Sequence, residues 1–264
     1  MLRYISPLIV AACMLASCTE IIKLDINASD PQIVVEANVP ASENAMVKLT
    51  KSINIDDENQ FQAVGNAVVI LTDDKGNSEI LAEKSPGIYV TKTMKGVVGR
   101  NYSLSVKTGD KTISSTCTIP DPVSFDSLKV SVQERFGGFG NASNDTLYQV
   151  NVKYTDPVAV TNFYRFVEYI NGVSTGNIHI FDDRLTEGKS IERGLFNFNR
   201  ILSKGDTITI EMQCIKEPVY NYFESFGNMR MGSSTPANPY TNLTGTTLGY
   251  FNAHTVERKT VVIK

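Results

Sequence analysis

The chain has no tryptophan, only two histidines and only four cysteines among its 264 residues. No pair of those cysteines is spaced as Cys-x-x-Cys, so a strong metal signature is missing. The one Gly-x-Ser-x-Gly match, Gly172-Val173-Ser174-Thr175-Gly176, sits at the Asn171-Gly172 hairpin signal and not on the strand-to-helix turn of a nucleophile elbow, so it supplies no nucleophile for either histidine. An excess of one charge is lacking too: 25 Lys+Arg stand against 28 Asp+Glu, a net charge of -3. Without a basic field to gather phosphates, nucleic acid is not an expected partner. Long helical periodicity is nearly absent. A chain of this length buries enough surface to build a core without a disulfide framework. Its composition, 42% hydrophobic with 18 Gly and 10 Pro, excludes disorder and collagen-like repeats.

What is present begins at the N-terminus. Arg3 precedes an uncharged apolar run from Tyr4 through Ser17, which ends at the polar pair Thr19-Glu20. The run is shorter than the roughly 20 residues a membrane-spanning helix needs. It carries Pro7 and has the charged start, apolar middle and small-residue end of a secretory signal. Its close, Leu15-Ala16-Ser17-Cys18, resembles the lipobox of bacterial lipoproteins, which implies cleavage before Cys18 and acylation of that cysteine. Residues 1–17 are then a lipoprotein signal peptide and residues 18–30 a lipidated tether. Several acyl chains, at about 0.8 kcal/mol per buried methylene, hold a protein to a membrane without spanning it. Of the remaining thiols, Cys117 and Cys214 lie in alternating strand-like runs. A buried free thiol is the plainer reading of each, although an exported protein also permits a bridge between them.

After the tether the chain is a succession of short β patterns. Ile33-Val34-Val35-Glu36-Ala37 and Val47-Lys48-Leu49-Thr50 begin it, and Ala67 to Leu71 and Ser78 to Leu81 bracket a turn in which Gly76 supplies the positive φ. Tyr102, Leu104 and Val106 alternate with polar residues, the pattern of a strand with one buried face. Such strands must cover their apolar faces with a second layer, so residues 31–120 read as an Ig-like or transthyretin-like β-sandwich. Pro120-Asp121-Pro122 cannot continue a central strand and marks the boundary. Residues 123–264 read as a second β-sandwich-like domain with one short helix. Its hairpin signal is Asn171-Gly172, and its helix starts at Glu217-Pro218 and is expected to stop at Gly227. Val219, Tyr222, Phe223 and Phe226 mark one helical face, which at this spacing is expected to be core. Leu248 to Ala253 is expected to lead into a last strand at Thr260–Ile263. The fold class is therefore all-β.

Candidate chemistry is sparse. His179, in Ile178-His179-Ile180-Phe181 before Asp182-Asp183, reads as a solvent-facing strand histidine; a hydrolase built on it has no nucleophile or base constellation. Asp56-Asp57-Glu58 and Asp73-Asp74 lack calcium-loop spacing and read as solvated turns. No catalytic residue, metal ligand or cofactor is expected. Two loops, Phe136–Ser143 and Met229–Leu243, are long or glycine-rich enough to present contacts. Phe139 and Tyr240 on them are the candidate stacking residues for a sugar or peptide, with packing down their own loops as the plain alternative. Asp145-Thr146-Leu147 resembles a short O-glycosylation signal of exported Bacteroidota proteins and makes Thr146 the candidate modified residue.

A wider resemblance rests on Ile33-Val-Val-Glu36, on Gly65 to Ile70 with its Asp-Asp-x-Gly turn, and on Gly87-Ile88-Tyr89. To these it adds the closing series Pro236-Ala-Asn-Pro239, Asn242-Leu-Thr-Gly245, Leu248-Gly-Tyr-Phe251 and Arg258 to Ile263. Together with the lipobox these resemble the Bacteroidota lipoproteins of the domain-of-unknown-function family four-two-four-nine. The resemblance implies an outer-membrane location through lipid at Cys18, on the periplasmic or the cell-surface face. It also implies a non-enzymatic accessory or ligand-capturing role beside a TonB-dependent transporter, with a small nutrient as ligand. A surface adhesin or structural spacer is the alternative.

Overall fold

The structure, a computed structural model, describes residues 30–53, 61–133, 147–196, 201–230, 238–245 and 247–264. The first sheet takes its opening strand from the expected alternation: in β1 (Ile33–Pro40) Ile33, Val35, Ala37 and Val39 are buried, and the residues between them face the other way. β1 pairs with β2 (Asn44–Lys51), which continues to β6 (Ile88–Lys95) and β5 (Ala82–Ser85). A second sheet runs in the order β4 (Ser78–Ile80), β3 (Val68–Asp73), β7 (Asn101–Thr108), β8 (Lys111–Thr118). Their apolar faces meet in one cluster that includes Val35, Leu49, Tyr89, Leu71, Leu104 and Ile113. Each such side chain, fully buried, contributes about 1.5–3 kcal/mol.

A second sandwich follows the same logic. One sheet is β14 (Ser190–Leu195), β10 (Leu147–Thr155), β9 (Phe125–Gln133). The other is β12 (Val173–Ser174), β11 (Phe163–Ile170), β15 (Thr207–Ile215), β17 (Glu257–Val262), with β13 (His179–Asp182) also paired to β11. Tyr154, Phe166, Ile208, Ile210 and Phe125 lie in its core. The turn between β11 and β12 has Asn171 at φ 52° and Gly172 at φ 79° and closes the Ile170–Val173 pair, as the Asn-Gly signal requires.

Two expectations are corrected. Leu248–His254 does not lead into the last strand: it is itself a strand, β16, and it pairs in parallel with β1 from Val34–Leu248 to Pro40–His254, in the first sheet. Gly249 makes that approach feasible. Its φ is +103°, and a Cβ there would lie 2.0 Å from the carbonyl oxygen of Val35. The helix α1 (Glu217–Arg230) runs beyond Gly227. Gly227 is not among the positive-φ glycines, and a glycine left in helical conformation weakens a helix without ending it. The first core also draws on residues beyond Pro120. Ile215, Val219, Tyr222, Phe223 and Phe251 belong to the first cluster, and Pro31–Lys264 forms one compact unit.

Candidate functional site

The second sandwich is closed along one side and open along the other. On the closed side β9 meets β17: the Phe125 N–H donates to Glu257 Oε2 at 2.9 Å, and Lys259 Nζ lies 5.6 Å from the Phe125 ring centroid. On the open side, among the described residues, β13 pairs only with β11 and β14 only with β10. Between these two unpaired edges lies a cavity of about 430 Å³, lined by His179, Phe181, Arg193, Phe196 and Asn177 among others. Small-molecule pockets typically begin at about 300 Å³.

Arg193 is placed by strand periodicity. In β14 it shares the inward row with the buried Ile191 and Leu195, so the backbone aims a cation where its neighbours are apolar. Its Nε donates to the Tyr154 hydroxyl at 3.3 Å, and its Cζ lies 4.5 Å from the Phe181 ring centroid. Phe181 is braced in turn by Phe166 at 6.0 Å, edge to face. Burial pushes the Tyr154 phenol up, so it stays protonated and accepts from the guanidinium with a neutral oxygen. Among the described residues no carboxylate pairs with Arg193. The nearby Asp182 is taken by Arg184, whose Nε lies 2.8 Å from Asp182 Oδ2.

His179 forms another wall. It is 8% exposed, opposite Phe166 across the β11–β13 pair, so the expected solvent-facing histidine is corrected to a buried one. Desolvation pushes its imidazole down to about 4, and its Nε2 is buried without a hydrogen-bond partner among the described residues. His254 is likewise buried and pushed down to about 3, with Nδ1 3.4 Å from the Asn252 carbonyl. Both imidazoles are therefore neutral near pH 7. Cys117 and Cys214 are free and buried, as read from the sequence, and desolvation raises both thiols. Among the described residues no group of three His, Cys, Asp or Glu side chains could hold a metal. The cleft thus offers one fixed positive charge, aromatic walls and a neutral imidazole. Those are binding elements.

The residues singled out from sequence are dispersed. Cys18, Phe139 and Thr146 lie outside the described residues, as do the whole Phe136–Ser143 loop and Asp56-Asp57-Glu58. Tyr240 is 74% exposed; its N–H donates to Ser225 Oγ of α1 at 3.1 Å, and it is not among the residues lining the cleft. Asp73 is not a solvated turn residue. It is buried, accepts from the N–H groups of Lys75 and Asn77, and pairs with Arg100. The α1 stripe is core as expected, with Tyr222 and Phe223 at 5.0 and 4.9 Å from Tyr250. Arg193 went unnoticed in the sequence, although a charge between Ile191 and Leu195 at period two is a visible signal.

A family model described as "Domain of unknown function (DUF4249)" matches residues 19–260, and the chain belongs to that family. No curated protein matches the chain. Among solved structures, the selenomethionine-substituted chicken interferon gamma receptor alpha chain aligns at 7% identity and a TM-score of 0.20, covering 71% of this chain and 90% of that one. At that score the likeness carries no argument.

Proposed function

We propose that this member of the family is a non-enzymatic, lipid-anchored outer-membrane lipoprotein that acts as an accessory or ligand-capturing partner of a TonB-dependent nutrient transporter. The observation that carries the binding half of this reading is the cleft between β13 and β14. It combines a guanidinium without a carboxylate partner among the described residues with aromatic walls, and its one imidazole is held neutral by burial. A fixed charge and apolar surface recognise a ligand; proton transfer near pH 7 calls for a group that titrates there. The anchor rests on Leu15-Ala16-Ser17-Cys18, and the transporter partnership on the resemblance to Bacteroidota lipoproteins.

A second reading, a structural spacer or adhesin, is favoured by the polar seam that ties the two sandwiches. Arg258 bonds Glu43 of the first and Glu211 of the second, at 2.5 and 2.6 Å. The test is to purify the native protein from gently solubilised outer membranes alongside a Cys18→Ala control and identify what accompanies it. A stoichiometric transporter with the wild type supports the accessory role. Recovery of the protein alone, with the anchor intact, moves the function to the spacer or adhesin.

A further inference from the structure

We infer that the cleft between β13 and β14 is a binding site for a small organic carboxylate with an apolar body, held by Arg193 and walled by Phe181 and Phe196. This rests on the non-catalytic binding reading above, though not on the transporter.

Four features of the site converge on that class of ligand. The guanidinium of Arg193 is held from two directions, by the Tyr154 hydroxyl at 3.3 Å and the Phe181 face at 4.5 Å. Its remaining donors therefore have a set orientation before anything binds, and a planar fork suits a carboxylate. The tyrosine is neutral and the ring only partly offsets the charge, so among the described residues the cation lacks the anion that usually accompanies an inward-facing arginine. Phe196 is 55% exposed at the cavity and adds apolar surface beside that charge. His179 presents an uncharged imidazole wall, which does not repel a ligand's apolar body as an imidazolium would. A volume of about 430 Å³ accommodates a ring or short chain attached to the carboxylate.

An inward charge on an edge strand can also serve only to discourage strand-to-strand aggregation. The two roles separate by experiment. Full-length protein in detergent is titrated with 4-fluorophenylacetate, followed by fluorine NMR, with the empty micelle as blank. Uncharged 4-fluorophenylacetamide and inorganic phosphate are the comparison probes. The expected result is saturable binding of the acid, on the order of millimolar for so small a ligand. The amide and phosphate bind far more weakly. Arg193→Gln weakens the acid by about ten- to a hundredfold, the range for a charged hydrogen bond. Phe196→Ser, at a position 55% exposed and outside the buried core, weakens it too. If Arg193→Gln does not fold, the Phe196→Ser result and the acid-over-amide preference decide. Absence of saturable binding to folded wild type, equal binding of acid and amide, or phosphate binding as well as the acid overturns the proposal. Co-purification of a transporter with a protein that fails this titration would sink the carboxylate site while leaving the accessory role standing.

Discussion

Ala253 donates its backbone N–H to the thiol sulfur of Cys117 at 3.3 Å, across 136 residues of sequence. The contact lies where β16 packs beside β8, so one cysteine helps to join the first sheet of its sandwich to the second. Burial raises the thiol, which keeps the sulfur protonated and unreactive.

Cys117 and Cys214 should consequently resist alkylation in the folded protein. Peptide mass spectrometry after a maleimide pulse should find both unmodified in native buffer and both modified in denaturant. Rapid native labelling of either would contradict the packing described.

Arg258 should matter more to stability than Glu43. The Glu211 side chain is only 6% exposed, so Arg258→Ala leaves a buried carboxylate with Gln213 as its remaining bonded partner. A loss of about 2 kcal/mol is expected, less than for a fully buried pair because Arg258 is half open to water. Glu43→Ala should cost under about 1 kcal/mol. Urea titrations of both variants would check the order.

The two buried histidines should make the fold acid-sensitive. Their folded values, about 4 for His179 and about 3 for His254, lie below the ordinary 6.5. As pH falls below 6.5 the unfolded chain takes up protons that the folded one refuses, so stability is lost from about 6.5 down to about 4 for His179 and about 3 for His254. The His179 share is roughly 3 kcal/mol at most. Burial raises Asp156 and Glu168, and these oppose the trend. Denaturation midpoints measured across that range should show a shallower slope for His179→Gln than for wild type; an unchanged slope would contradict the assignment.

Gly249→Ala should be far more damaging than Gly172→Ala. Both positions have positive φ, yet only at Gly249 would the added methyl meet backbone, 2.0 Å from the Val35 carbonyl oxygen. Gly172→Ala should cost about 1 kcal/mol, whereas Gly249→Ala should cost several and loosen the β1–β16 pairing. Amide hydrogen exchange at Val35 to Val39 would report the difference directly.

The sequence makes strands legible where one face is wet. β1 alternates cleanly, and Asn171-Gly172 announces its hairpin. β16 is hidden for the opposite reason: Gly249 to His254 are all buried, so no alternation appears. Its partner β1 is also more than two hundred residues away, beyond any local pattern. His179 read as exposed because the charged Asp182-Asp183 follows it, but its burial is set by packing in the folded chain, where it lies opposite Phe166 of β11, and not by its neighbours in sequence. The inward placement of Arg193 was legible in principle. Its isolation from carboxylates among the described residues and its stacking on Phe181 are tertiary facts that no spacing encodes.

The parallel union of β1 with β16 has a consequence for how the molecule is made. A chain delivered N-terminus first must hold β1 with one edge bare until Leu248–His254 arrives, more than two hundred residues later. A nascent chain stopped anywhere before that point cannot finish its first sheet, however correctly its earlier strands have paired. Completion of the opening sheet thereby becomes a check that everything through His254 has been delivered, and a product interrupted before it stays open to holding chaperones and proteases.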